Sequence, residues 1–116
     1  MSFKDSEFEC KCGCGLGREN FRPKSLDRLY NARKMANIPF VLLSAMRCPE
    51  HNKDIKGKEN SAHLRGAFDI RVANSHDRFI ILQSLILAGF TRIGVYKTFI
   101  HADDDPTLPK EMTWLD

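Results

Sequence analysis

The segment ENSAHLRGAFDIRV, residues 59–72, brings a serine, a histidine, a glycine and an aspartate close together. Its second half alternates, with Phe68, Ile70 and Val72 on one face of an extended chain and Ala67, Asp69 and Arg71 on the other. This predicts a half-buried strand with the Asp69 carboxylate on the solvent side. His63 lies six residues earlier, across a glycine turn that can fold the loop back over the strand. A second histidine, His101, shares one face of TFIHAD with Phe99, while Ile100 takes the other. If the two strands are neighbours, His63, Asp69 and His101 converge. Two imidazoles and a carboxylate suit a catalytic zinc ion, with ligands at about 2.0–2.2 Å and a fourth position open to water. Such a metal lowers the pKa of water toward about 7 and polarises a carbonyl, which brings amide hydrolysis within reach. Taken alone, a histidine and an aspartate at this spacing are more often surface polar groups.

The elements that must position these residues are readable in outline. Leu26, Leu29, Tyr30 and Met35 have helical spacing between Pro23, which can open a helix, and Asn37, which can close it. IPFVLLSAM reads as a buried strand, and RCPEHNKDIKGKENSAH as a long polar surface loop. Asn74 or Ser75 can cap a helix running to Ala88, with Gly89 at its C-terminal end. On that helix Phe79, Leu82, Leu85 and Ile86 are expected to face the core. TRIGVY and TFIHAD read as two strands joined by a tight turn near Lys97. The tail DDDPTLPKEMTWLD is expected to be mostly loop, with Asp104 and Asp105 in a solvated turn before Pro106 and Trp114 folded back onto the body. Residues 1–20 are irregular and rich in cysteine and glycine. The order of elements predicts an α+β fold, a small mostly antiparallel sheet with helices on one face, forming a single domain over residues 1–116.

Composition narrows the function classes. With 116 residues, 42% hydrophobic and 28% charged, the chain reads as globular. The net charge of +3 is too small to argue for a polyanion partner. Basic residues are spread along the chain and no helix is rich in arginine or lysine, so nucleic-acid binding is not expected. The longest apolar stretch, FIILQSLILAGF, falls short of the roughly 20 residues that span a bilayer, so membrane insertion is not expected either. MSFKDSEFEC lacks the basic-then-apolar pattern of a secretory leader, which points to synthesis in the cytoplasm. A monomer is expected.

Three motifs in order resemble the D-alanyl-D-alanine carboxypeptidase-like zinc peptidases, the hedgehog-like superfamily that includes vancomycin-resistance D,D-dipeptidases and phage L-alanyl-D-glutamate endolysins. Ser61, His63, Gly66, Ala67 and Asp69 follow that family's Ser-x-His-x-x-Gly-x-Ala-x-Asp. Gly89, Phe90, Ile93, Gly94, Tyr96, Phe99, His101 and Asp103 follow its second motif, and Ser44, Arg47 and Asn52 follow an upstream one. The likeness extends from Phe8 to Trp114. It implies a hedgehog-like, D,D-peptidase-like fold with His63, Asp69 and His101 as zinc ligands. Arg47 would stabilise charge on the scissile carbonyl, and Ser61 would bind substrate; without the motif, Arg47 reads as a surface salt bridge with Glu50 or Asp54 and Ser61 as a turn hydroxyl. Asp103 would act either as general base or by orienting a ligand, and His51 is a further candidate for the base. The implied reaction is hydrolysis of a peptidoglycan peptide bond next to a D-amino acid, of D,D-carboxypeptidase or L,D-endopeptidase type, carried out on the cell wall after release as in phage lysis. The chain departs from the family in two places. One residue is missing between Gly66 and Ala67, ahead of the strand, and Ala45-Met46 replace Gly-Tyr. With no obvious base at the family's usual positions, here Thr98 and Phe99, a second reading is an inactive relative serving as a zinc-containing binding or structural phage protein.

The cysteines pose a separate question. Cys10, Cys12 and Cys14 form Cys-x-Cys-x-Cys, and Cys48 adjoins Arg47. Four thiolates can hold a second, structural zinc if the N-terminal segment meets that loop. Free thiols, or a disulfide formed in an oxidising exterior, are the alternatives. A cysteine-zinc nucleic-acid binder is a third reading, which the scattered basic residues disfavour.

Overall fold

The computed structural model describes residues 3–116. Three helices, α1 (Pro23–Ala36), α2 (Pro49–Asp54) and α3 (Ser75–Ala88), are interspersed with five strands. The strands are β1 (Leu42–Ser44), β2 (Phe68–Arg71), β3 (Arg92–Val95), β4 (Phe99–Asp103) and β5 (Met112–Leu115). They form one sheet in the order β1-β2-β4-β3-β5, antiparallel throughout except for the parallel β3–β5 pair. This is the expected α+β architecture.

The alternation of side chains divides the sheet into two faces. Leu42, Phe68, Ile70, Ile93, Ile100 and Ala102 join Leu29, Ala32 and Ala36 of α1 and Ile81 and Leu85 of α3 in one core. Complete burial of side chains such as Phe68, Ile70 and Ile100 contributes about 1.5–3 kcal/mol each. From the N-terminal segment, Phe8 and Phe21 enter the same core, and Phe21 stacks on Phe68 with ring centroids 4.9 Å apart. A Cβ on Gly66 would stand 2.8 Å from the Phe21 ring, so the turn leading into β2 lies tight against this stack. On the other face the register sets Asp69 opposite His101 and His101 opposite Gly94.

The two long helices end as their signals predict. Pro23 opens α1 and Asn37, in the left-handed conformation, closes it. Asn74 Oδ1 accepts the Asp77 N–H at 2.8 Å to cap α3, which Gly89 terminates. Five local expectations are corrected. The IPFVLLSAM strand is confined to Leu42–Ser44, because the next residues leave the ladder for other partners, Met46 N–H donating to Phe8 O at 3.2 Å and Arg47 N–H to His63 O at 2.9 Å. The polar segment after Arg47 is not all loop: it contains α2, begun by Pro49, and a 3₁₀ turn at Ala62–Leu64. The tail carries β5, paired with β3. On α3 the helical period is right but the phase is not. Ile81, Ser84 and Leu85 are buried, whereas Phe79 and Ile86 are 62% and 57% exposed. The run FIILQSLILA is apolar nearly all round, so its spacing alone does not select a face.

Asp104 and Asp105 are not in a solvated turn. Asp105 is fully buried, accepts from Arg65 Nε at 2.6 Å and caps the turn to Thr107. Asp104 receives Arg22 and Ser25, each at 2.5 Å, and Arg28, tying α1 to the end of β4. No described helix is long and apolar enough to cross a membrane.

Burial disfavours the charged form of Asp104, but its bonds to Ser25, Arg22 and Arg28 outweigh this and hold the carboxyl below its ordinary range. Its contribution to stability is therefore complete above the unfolded value of about 3.9 and is lost as pH falls further. Asp104→Asn should destabilise the protein by about 2–3 kcal/mol near neutral pH. In urea unfolding, the gap to the unsubstituted protein should narrow at about pH 3, near and below the free carboxyl value.

Candidate metal centre

His63 belongs to the 3₁₀ turn Ala62–Leu64, whose first residue is preceded by Ser61. Ser61 Oγ accepts the His63 N–H at 3.2 Å, so the hydroxyl caps this turn while also lining the cleft in front of it. The His63 ring is buried. Its Nδ1–H donates to the Ala45 carbonyl at 2.7 Å, which leaves the Nε2 lone pair facing outward. Nε2 lies 3.1 Å from Asp69 Oδ2 yet has no hydrogen-bond partner. A buried ring nitrogen with a free lone pair is costly unless something binds it.

Asp69 and His101 face each other across β2 and β4, with Oδ1 and Nδ1 3.0 Å apart. The other ring nitrogen of His101, Nε2, bonds Asp103 Oδ2 at 2.6 Å. Asp103 is fully buried behind the ring, where Arg92 Nε approaches its Oδ1 at 3.1 Å and the Asp105 N–H donates to Oδ1 at 3.0 Å. Asp103 thus stands behind His101 and does not line the cleft. The carboxylate faces away from the cleft and fixes which His101 nitrogen is presented to it, as partners behind metal-bound histidines do.

Asp69, His63 and His101 each offer an atom within 4.8 Å of the others. Donor pairs on one tetrahedral zinc lie about 3.4 Å apart at ordinary ligand distances, and the two measured Asp69 separations of 3.1 and 3.0 Å are close to this. The donor set, the orphaned Nε2 and the two back-bonded imidazoles fit zinc. Gly66, with φ of +120°, and Ala67, where the spacing is short, lie in the turn ahead of β2. Burial opposes ionisation of Asp69, but the His101 and His63 imidazoles beside it outweigh this and hold its carboxyl well below the usual carboxylate range. For His101 burial favours the neutral form, yet Asp103 and Asp69 outweigh it and raise its pKa.

These groups stand at the floor of a cleft of about 420 Å³. Arg47 lines it, held by Asn52 Oδ1 at 2.9 Å and Ser44 Oγ at 3.2 Å rather than by Glu50 or Asp54. Burial lowers the Arg47 pKa, partly offset by the Asp69 charge. His51 lies on α2 and is not part of the cleft wall. The wall includes residues to which the sequence reading assigned no role: Lys58, Asn60, Arg92, Tyr96 and Leu108. Trp114, expected only to fold back, completes it. A Cβ on Gly94 would lie 2.3 Å from Trp114 Nε1, so the indole lies flat across a position that only glycine leaves open. Trp114 Nε1–H donates to Tyr96 Oη at 2.9 Å, and Tyr96 stacks on Phe99 at 4.4 Å. Arg92 and Tyr96 were legible in principle, since residues 92, 94 and 96 fall on one face of a strand.

A second convergence involves the Cys10, Cys12, Cys14 and Cys48 sulfurs, which also lie within 4.8 Å of one another. Burial raises the Cys10 thiol, but hydrogen bonds from Cys12 and Cys48 bring it to about 7. Contacts with the Cys10, Cys14 and Cys48 thiols push Cys12 up to about 12.

No curated protein and no solved structure gives a significant match to the chain. A family model described as Peptidase M15 matches residues 1–103, which include His63, Asp69, His101, Arg47 and all four cysteines. With that span of the sequence matched, the chain belongs to the peptidase M15 family of zinc peptidases.

Proposed function

We propose that His63, Asp69 and His101 hold the catalytic zinc of a peptidase that hydrolyses peptidoglycan peptides next to a D-amino acid. The observation that carries this reading is the cleft itself: a three-donor cluster at its floor and three cations, Arg47, Lys58 and Arg92, around it. Peptidoglycan stem peptides bear several carboxylates, and a cation-lined cleft attracts and orients such a chain. Work on the wall after release from the cell, of the endolysin kind, is part of the same proposal.

Zinc, when bound, supplies a Lewis acid that polarises a carbonyl and acidifies water. The chain's own residues do the rest. Ala45 O and Asp103 each hold one proton on the far nitrogen of an imidazole, so His63 Nε2 and His101 Nδ1 are presented as lone pairs. Arg47, positioned by Ser44 and Asn52, directs N–H donors into the cleft where charge develops on a carbonyl oxygen. Ser61 and Asn60, at the rim, are placed to bind substrate polar groups. Trp114 and Phe99 form an apolar side of the cleft that limits water access.

A second reading, a zinc-containing binding module without hydrolysis, is favoured by one observation. Among the described residues, the cleft wall has no carboxylate besides Asp69 and no imidazole besides the two histidines. The remaining proton-exchanging groups there are Tyr96 and Lys58.

Three substitutions separate these readings. His63→Ala should lose zinc from this site, read by elemental analysis, and lose release of amino groups from purified peptidoglycan. Asp103→Asn should weaken zinc affinity about 10–100-fold in chelator competition. Arg47→Ala should keep the metal but lower kcat about 100–1000-fold. Unsubstituted protein that holds zinc in this site and releases no amino groups from any peptidoglycan tested would favour the binding module.

A further inference from the structure

The cysteine cluster lies apart from the cleft, and the mechanism above does not use it. We propose that Cys10, Cys12, Cys14 and Cys48 bind a second zinc ion through four thiolates, and that this ion fastens the N-terminal loop to the segment that carries Arg47.

The argument begins with the backbone. Residues 10–16 form a closed loop, with Cys10 N–H donating to Leu16 O at 2.9 Å and Gly13 N–H to Cys10 O at 3.1 Å. Gly13 and Gly15 have φ of +80° and +96°, values that side-chain-bearing residues rarely adopt. The Cys-Gly alternation thus lets the chain coil tightly enough to turn three successive cysteines toward one point. Cys48 meets them from the other side.

The sulfur geometry follows. Cys10 Sγ and Cys12 Sγ are 3.4 Å apart, and Cys12 Sγ and Cys48 Sγ 3.5 Å apart. A disulfide needs about 2.05 Å, and all four cysteines are free. Around one zinc, with bonds near 2.3 Å, tetrahedral sulfurs sit about 3.8 Å apart. Two backbone amides already point at the sulfurs: Cys48 N–H donates to Cys10 Sγ at 3.4 Å, and His51 N–H to Cys48 Sγ at 3.3 Å. Such donors favour thiolates over thiols. A single disulfide would leave two of the four sulfurs with no reason to converge, whereas one soft divalent ion accounts for all of them.

The consequence for the cleft comes through residues 45–48. The Ala45 carbonyl orients His63, Met46 N–H binds Phe8 O, Arg47 reaches the cleft and Cys48 joins the sulfur cluster. The N-terminal loop and the metal-binding loop therefore grip the same four residues from opposite sides. A thiolate-bound ion ties the first grip across the fold and so keeps Arg47 and the His63-orienting carbonyl in place.

The metal count does not depend on the peptidase reading, because His63→Ala removes only the other site. Purified His63→Ala is expected to retain one zinc per chain. After exchange with cobalt(II) it is expected to show thiolate-to-cobalt charge-transfer absorption. Adding Cys12→Ser or Cys48→Ser to that variant should abolish both signals. Because a cysteine variant can fail to fold, the unsubstituted protein provides an independent readout: titration with a thiol-specific mercurial should release a zinc ion in step with modification of the four cysteines. Hydrogen exchange at Met46 and Arg47 should then accelerate. The proposal is overturned if His63→Ala is metal-free and its cobalt form lacks thiolate absorption. It is equally overturned if the freshly purified protein has its cysteines paired in disulfides, or if the mercurial modifies all four without releasing metal.

Discussion

The candidate centre depends on the antiparallel register that pairs Asp69 with His101. Side chains in a strand alternate, so a slip of one residue between β2 and β4 would set Ile100 opposite Asp69 and send Phe68 and Ile70 toward solvent. The core and the face that carries Asp69 and His101 are therefore specified together. Phe68, Ile70, Ile100 and Ala102 can be buried only in the register that also brings the carboxylate and imidazole to 3.0 Å. Burial of apolar surface thus supplies the free energy that holds a polar cluster in place, and the helices α1 and α3 act on the site through the sheet without touching it.

Around this pairing the chain solves a problem of charge. Three consecutive aspartates end or follow β4, Asp103 and Asp105 buried and Asp104 half-buried, and each is paired with a different partner. Asp103 goes behind His101, Asp104 to Arg22 at the start of α1 and Arg28 within it, and Asp105 to Arg65 on the loop that carries His63. Buried carboxylates are tolerated only when paired, so each acts as a directional tie. Together they connect β4 to the helix layer, to the loop that carries His63 and to the His101 imidazole itself.

Much of this was legible in the residues, and the misses have physical causes. The alternation in AFDIRV and TFIHAD places Asp69 and His101 on facing strands because period-2 patterns survive without tertiary context, and family-like spacing adds His63 from the turn ahead of β2. Proline at position 23, asparagine at 37 and 74, and glycine at 89 mark helix ends for local reasons. Asp104 and Asp105 read as solvated because their partners lie far away in sequence, at Arg22, Arg28 and Arg65. For α3 a nearly all-apolar stretch hides which side is buried. Parallel pairing of β5 with β3 needs a neighbour that no local pattern reveals. Lys58 and Asn60 reach the cleft from a loop, where spacing carries no directional information.

The chain has a single tryptophan, and it is the one laid across Gly94, with its ring 5.5 Å from that of His101 and the Arg92 guanidinium 5.3 Å above it. An indole is an intrinsic fluorophore whose emission responds to nearby protonated imidazole and to the polarity of its surroundings. The protein accordingly carries its own optical probe in the wall of the cleft. Binding of an ion or a ligand at the floor of the cleft would then be followed in real time without a label, from a residue outside the three-donor cluster.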